Sequence, residues 1–375
     1  MGNDWIGGQL GDFVQIGSSK RIFYKEYVPE GVPFYRSKEV IEKSSRKNVS
    51  TELYILHNRF KEIKEKFGVP QKGDILLTSV GTLGVPWVVD TDEDFYFKDG
   101  NLTWFKDFHP RLNNHFLFYW LVSPIGKNEL EMSSIGSTQP ALTIKGLKEL
   151  SISIPPIEEQ IAIIGVLSAL DDKIDLLQRQ NRTLESLAQA LFRHWFIDGA
   201  GADWEEGYLD NLVTVSSGKG LKRSNYVENG SFPVLGANGE IGRAEEYLLD
   251  EEVIFTGRVG TLGNIFISKG KVWLSDNTLI VKPKFYRQFH FVYFLLKTAH
   301  LEDLNVGSTQ PLIRQSDVKQ IEISIPPITI LERFSAQTQI LFAKIDINQS
   351  QICTLAALRD TLLPKLMSGE VRVRV

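Results

Sequence analysis

Side chains able to do covalent chemistry are sparse in this 375-residue chain: a single cysteine, Cys353, and six scattered histidines. Zinc and thiol chemistry need clustered ligands, and neither HExxH nor a pair of CxxC motifs occurs. No GxxxxGK[ST] stretch is present to cradle nucleoside phosphates, and VGTLG, found twice, lacks the GxGxxG spacing of a dinucleotide loop. Cys353 falls in a helical pattern and reads as structural. His194, in LFRHWF, reads as packing or dipole compensation at a helix end. Polar recognition is better provided for. From Ser18 to Lys72 there are 13 Lys and Arg against 7 Asp and Glu, a local balance of +6 in a chain of net charge −4. Binding a polyanion needs a basic surface only where the polyanion touches. Within that segment RFKEIKEKF (Arg59–Phe67) reads as an ordinary solvated helix.

The elements that must position such residues come in duplicate. GSTQPALTIKGLKELSISIPPI at 136–157 returns as GSTQPLIRQSDVKQIEISIPPI at 307–328, a shift of 171 without a gap. GNDWIGGQL at 2–10 returns as GADWEEGYL at 201–209, shifted by 199, and SVGTLG (Ser79–Gly84) as RVGTLG (Arg258–Gly263), shifted by 179. The falling offset gives the first copy roughly 21 extra residues between Lys38 and Asp74. A period near half the chain fits two copies of one domain. DILLTSV, DFYFKDG, EEVIFTG, GNIFISKG and NTLIVKP, bounded by Gly and Asp, predict strands. HFLFYWLV (115–122) and FHFVYFLL (289–296) are too apolar for a surface and predict a core helix or strand in each copy.

Each copy closes on IPPI, where paired prolines forbid helix through themselves and aim the next segment. That segment reads as helix in both copies. In the first, the a positions are Leu167, Ile174, Asn181 and Ala188, with Leu170, Leu177, Leu184 and Leu191 at d. The second copy has Thr338, Ile345, Ile352 and Arg359 at a, and Leu341, Asn348, Leu355 and Leu362 at d. Four heptads predict a coiled-coil seam, the first helix running to about Phe196 and the second stopping at Pro364. Two such helices in one chain pair most simply with each other, antiparallel. Asn181 then meets Asn348 and fixes the register, since a lone buried amide would go unsatisfied. Some 35 residues make a rod of roughly 50 Å. The expected organisation is globular domain 1–157, spacer helix 158–198, globular domain 199–328, and spacer helix with tail 329–375. No secretory leader or membrane-spanning stretch is visible, and the lone cysteine suits a reducing cytoplasm.

Two variable globular portions, each closed by GSTQP, IPP and a long helix, resemble the specificity subunit of a type I restriction–modification system. SSKRIFYKEYVPEGVPFYRSKEV (18–40), GANGEIGRAEEY, TGRVGTLGN and the terminal LLPKLMSGEVRV (362–373) strengthen the resemblance, which covers essentially the whole chain. It implies an α+β protein: two similar mixed α/β target-recognition domains separated by an antiparallel two-helix coiled coil, in a pseudo-twofold internal repeat. Each domain would read half of a bipartite, asymmetric duplex DNA site, and the helices would set the unread gap. The helices and GSTQP/IPP regions would dock two methyltransferase subunits, with restriction/translocase subunits outside them. The chain itself would be non-catalytic and hold no metal. S-adenosylmethionine, ATP and Mg would belong to the partners. SIPP only loosely echoes the adenine methyltransferase signature, lacking its Asn or Asp and its stacking aromatic.

The resemblance locates the DNA-facing loops. In the first domain they carry Lys20, Arg21, Arg36, Lys38, Ser79 and Thr82, and in the second Lys219, Lys222, Arg223, Asn238, Arg258 and Thr261. Cations and amides of this kind read base edges and fix register on phosphates. Arg258 is the sharpest candidate, because its counterpart is Ser79: a shared loop would carry different readers. Gly81, Gly84, Gly260 and Gly263 read as turn formers. Gln139 and Gln310 precede prolines, so their backbone is extended, with scaffold bracing, partner docking and base contact all open. Phe192, Trp195 and Phe196 at the end of the first long helix read as packing on the second domain or as a docking patch. Two other classes remain open at this level: an interaction scaffold that does not touch DNA, and a self-contained DNA-modifying enzyme.

Overall fold

The computed structural model describes residues 4–47, 49–136 and 140–373. The chain forms two compact units, one of residues 1–176 with 351–375 and one of residues 177–350. The first contains β1 (Ile6–Gln9), β2 (Gln15–Gly17), β3 (Tyr27–Val28), β4 (Val32–Tyr35), α1 (Ser37–Ser44), β5 (Tyr54–Ile55) and α2 (His57–Phe67). Next come β6 (Ile75–Thr78), β7 (Pro86–Val88), β8 (Tyr96–Phe97), β9 (Leu102–Lys106), α3 (Asn114–Val122), α4 (Pro124–Ser133), α5 (Ile144–Glu149) and β10 (Ser151–Ile154). The long helix α6 (Ile157–Arg193) then starts in this unit.

Its strands form two four-stranded sheets, ordered β2-β9-β6-β7 and β3-β5-β4-β8, and the pair β1-β10. The run Ile75–Thr78 is buried at every position because the strand has two cores, one per face. Ile75 and Leu77 join Phe116 and Leu117 of α3 in one cluster. Leu76, pointing the other way, joins Trp87, Phe97 and Trp104 in another. The apolar run at 115–122 is a helix, started by Asn113, whose side chain accepts from the His115 amide at 2.9 Å.

The second unit repeats the plan. It contains β11 (Glu205–Tyr208), β12 (Val213–Ser217), β13 (Phe232–Gly236), β14 (Gly239–Ala244), β15 (Leu249–Asp250), β16 (Val253–Gly257), β17 (Ile265–Ser268), β18 (Lys271–Leu274) and β19 (Thr278–Pro283). Helices α7 (Phe289–Thr298) and α8 (Gln315–Lys319), strand β20 (Glu322–Ile325) and helix α9 (Ile328–Ser368) complete the chain order. The sheets are β12-β19-β16-β17 and β14-β13-β18-β15, and β16 splits its residues between two cores as β6 does. In both units the opening motif pairs with the closing one, β1 against β10 (Ile6↔Ile154) and β11 against β20 (Glu205↔Ile325).

Within each unit α6 and α9 run antiparallel. In the first, Arg359 binds Asp171 at 2.9 Å while Arg372, just beyond α9, binds Glu159 at 2.7 Å. In the second, Asn348 donates to Asn181 at 2.8 Å and Phe334 packs on Phe192, their ring centroids 6.2 Å apart. One expectation about a helix end is corrected. Pro364 does not stop α9, which continues to Ser368. The turn beyond it buries Leu366 and Met367 at 2% and 3% exposure, and this packing outweighs one missing amide bond. Gly369, at φ 74°, ends the helix instead. The first long helix extends past Phe196 as expected, α6 being continued after Arg193 by a π turn, His194–Asp198. Cys353 lies exposed on α9, not in a core.

Candidate nucleic-acid interface

In the second unit one edge is built from five loops tied by main-chain bonds and one side-chain bond. After β12, Gly218 N–H donates to Thr278 O at 3.1 Å and Lys219 N–H to Leu274 O at 2.9 Å. A Cβ on Gly218 would lie 2.1 Å from Ser275 O, so only glycine fits. The β18–β19 turn is fastened to β13 through Ser275 N–H and Leu235 O (2.9 Å), and to the β16–β17 loop through Arg258 N–H and Asn277 O (2.8 Å). The β13–β14 turn meets that same loop, Asn264 donating to Asn238 Oδ1 at 3.0 Å. Gly257 again admits no side chain, since its Cβ would sit 2.0 Å from Thr261 O. Lys219, Asn238, Arg258 and Thr261 thus come from loops that hold one another.

Gly260 and Gly263 both have φ 86°, the left-handed region that turns the RVGTLG loop back on itself, and Gly81 and Gly84 adopt φ 80° and 73° in the first unit. The GSTQP segment braces this loop. Gly260 N–H donates to Pro311 O at 3.0 Å, Val259 bridges Leu312, and Ile313 N–H donates to Arg258 O at 2.9 Å. Asn305 Oδ1 holds the segment, accepting from Gly307 and Leu312 amides at 2.9 Å each. In the first unit Ser137, Thr138 and Gln139 lie outside the described residues, yet the bonds on either side recur. Ser79 N–H donates to Asn101 O (2.8 Å), Leu142 N–H to Ser79 O (2.9 Å), and Val80 bridges Ala141. The sequence showed these two motifs as separate repeats; in the structure they pair with each other in both units.

Side chains on this shared frame differ. Arg258 is half-buried, its Nε enclosed without a partner. Ser79 is corrected from reader to core residue. At 2% exposure its hydroxyl is 2.7 Å from Thr103 Oγ1 and 3.3 Å from Leu77 O, turned away from solvent. Thr82 stays exposed, as does Thr261. Lys20 is exposed with its ammonium 5.3 Å from the Phe67 ring centroid, and its amide donates to Tyr96 Oη at 2.7 Å. Arg21, also exposed, pairs with Asp99 at 2.7 Å, which raises its pKa through that hydrogen bond. Arg36 caps α1, paired with the buried Glu39 at 3.2 Å, while Nε has no partner. Lys38 reaches Ser50 O at 3.2 Å. Lys222 and Arg223 are exposed at the 3₁₀ turn Arg223–Asn225. Among the described residues no cluster of His, Cys, Asp and Glu could hold a metal, and no helix is long and apolar enough to cross a membrane.

Away from the loops, Asn348 is fully buried, donating to Asn181 at 2.8 Å with its own Oδ1 unpartnered. Phe192, Trp195 and Phe196 belong to the second unit's core, with Phe196 4.9 Å from the Phe334 ring. Sequence reasoning missed His290, 3% exposed, stacked 4.2 Å from Phe342 and 3.0 Å from Thr338 Oγ1. Burial, helped by Lys269, lowers its pKa to about 4. Its only sequence signal was a histidine inside FHFVYFLL.

The sequence matches the family model described as "type I restriction modification DNA specificity domain" twice, over residues 2–186 and 201–352. It is 28% identical to the type I restriction enzyme MjaIX specificity subunit of Methanocaldococcus jannaschii, over 99% of this chain and 94% of that protein. It is 24% identical to the HindI specificity subunit of Haemophilus influenzae, over 98% and 100%. The fold resembles the crystal structure of a type I restriction–modification S subunit from M. genitalium, with TM-score 0.63, 22% identity, and 97% and 96% of the two chains covered.

Proposed function

Because the chain belongs to the type I restriction–modification DNA specificity family, we propose that it is the non-catalytic subunit that selects the DNA site for such a complex. Each repeat reads one half of a bipartite duplex sequence, and α6 with α9 sets the unread interval. Methyltransferase subunits, two per chain, dock on it, and restriction subunits join where the system has them. Partners bind S-adenosylmethionine, ATP and Mg and carry out methyl transfer and cleavage.

One observation carries this reading. The same loop frame is built twice, with the bonds of Ser79 to Asn101 and Leu142 repeated by Arg258 to Asn277 and Ile313, while the side chain at its head differs, a buried serine in one copy and a half-buried arginine in the other. A duplicated frame with diverged polar tips fits two half-sites of different sequence, since base edges are told apart by side-chain donors and acceptors. The test is co-expression with the cognate methyltransferase subunit and mapping of methylated adenines across the host genome. A bipartite motif with a fixed gap is the expected result. A stable complex that methylates nothing, or a single ungapped motif, would refute two-domain reading.

A further inference from the structure

The first unit exposes Tyr24 at 90% and Phe23 at 57%, a large apolar surface that contributes nothing to its cores. The two residues sit at a 3₁₀ turn, Tyr24–Glu26, held rigidly from behind. Phe23 N–H donates to Glu26 Oε2 at 2.8 Å, and Arg59 of α2 grips the other Glu26 oxygen at 2.9 Å. Lys25 lies within the turn, and Lys20 and Arg21 precede it.

The second unit has the same turn. Residues 17–31 align without a gap on 216–230, a shift of 199, keeping Lys20 with Lys219, Tyr27 with Tyr226, Val28 with Val227 and Gly31 with Gly230. Beyond that stretch the second unit has one residue more, and the pair Phe34↔Tyr96 of β4 and β8 answers Val234↔Trp273 of β13 and β18. The 3₁₀ turns coincide at the shift of 199, Tyr24–Glu26 on Arg223–Asn225, and the third residue is again tied to a neighbour, Asn225 donating to Glu246 at 2.6 Å. Phe23 and Tyr24 therefore stand where the second unit carries Lys222 and Arg223. A braced turn that presents an aromatic pair in one copy and a cation pair in the other has the form of an exchangeable reader. Arg suits guanine edges, and an aromatic ring suits the thymine methyl.

Resting on the function proposed above, we propose that Tyr24 is a specificity-determining residue. Its ring makes apolar contact with a thymine methyl in one half-site, at the place where Arg223 reads the other.

The test is methylome mapping of the full chain with its methyltransferase partner, carrying Tyr24→Ala, Tyr24→Phe or no change, followed by binding of the complex to duplexes of the mapped motif. Tyr24→Ala should make one position of one half degenerate while the other half and the gap stay as in the wild type. Tyr24→Phe should keep the wild-type motif. Replacing the affected thymine by uracil removes only its methyl and should weaken wild-type binding about fourfold, the worth of one buried methyl group, and Tyr24→Ala binding not at all. A motif unchanged in Tyr24→Ala, a Tyr24→Phe motif as relaxed as that of Tyr24→Ala, or equal uracil penalties in both proteins would overturn the inference and leave the proposed function standing. A wild-type complex without a bipartite motif would overturn both.

Discussion

Arg258 and Ser79 occupy one position in two copies of a loop, with the same carbonyl and amide partners. One side chain is long enough to leave the frame, and the other folds back onto Thr103 at 2.7 Å. Arg258→Ala is expected to relax one half of the methylated motif at a single position, at roughly 1–3 kcal/mol of lost discrimination. Methylome mapping reads this directly. Ser79→Ala should leave the motif intact and cost about 1 kcal/mol of stability, the worth of a buried hydroxyl bond, measurable by urea unfolding. The glycines were legible from the sequence as turn formers because a positive φ leaves few other residues. The inward turn of Ser79 was not, since a serine's direction depends on whether a partner such as Thr103 faces it across the sheet.

At the scale of elements, the amide pair Asn181–Asn348 was legible from heptad position, because a polar residue on an apolar seam needs a partner. Asn181→Leu alone should destabilise the protein by about 1–3 kcal/mol by stranding the buried Asn348 amide, and Asn181→Leu with Asn348→Leu should recover much of that loss. Chemical unfolding of the four proteins of the cycle checks it. Between α7 and α9, His290 sets a pH dependence. Its folded pKa of about 4 lies below the unfolded value near 6.5. The stability tied to the neutral ring is present above pH 6.5. It is lost as pH falls toward 4, where the unfolded chain takes up a proton that the folded chain refuses. The loss amounts to about 3 kcal/mol, and His290→Phe should flatten thermal stability over that interval. Pro364 was misread as a stop because helix propensity is local, whereas the burial of Leu366 and Met367 that carries the turn is tertiary.

For the whole molecule the expectation is recognition without chemistry. Incubated alone with labelled S-adenosylmethionine and DNA, the chain should transfer no methyl group, and the complex with its methyltransferase subunit should. DNA binding by that complex should weaken linearly on logarithmic axes as salt rises. Lys219→Ala should lower that slope by about one without changing the motif, which separates a phosphate contact from a base contact.

The sequence by itself determined the duplication, the helices that close each copy, and the kind of residue on the exposed loops, because repeats, heptads and glycine turns are written in local order and spacing. Tertiary structure alone decided which motifs meet. The Val259–Leu312 bridge joins VGTLG to GSTQP, and β1 and β11 pair with β10 and β20. Such contacts join residues tens to hundreds of positions apart. They form only where burial of two faces of one strand and satisfaction of main-chain donors agree on a single arrangement, and no local pattern encodes that agreement.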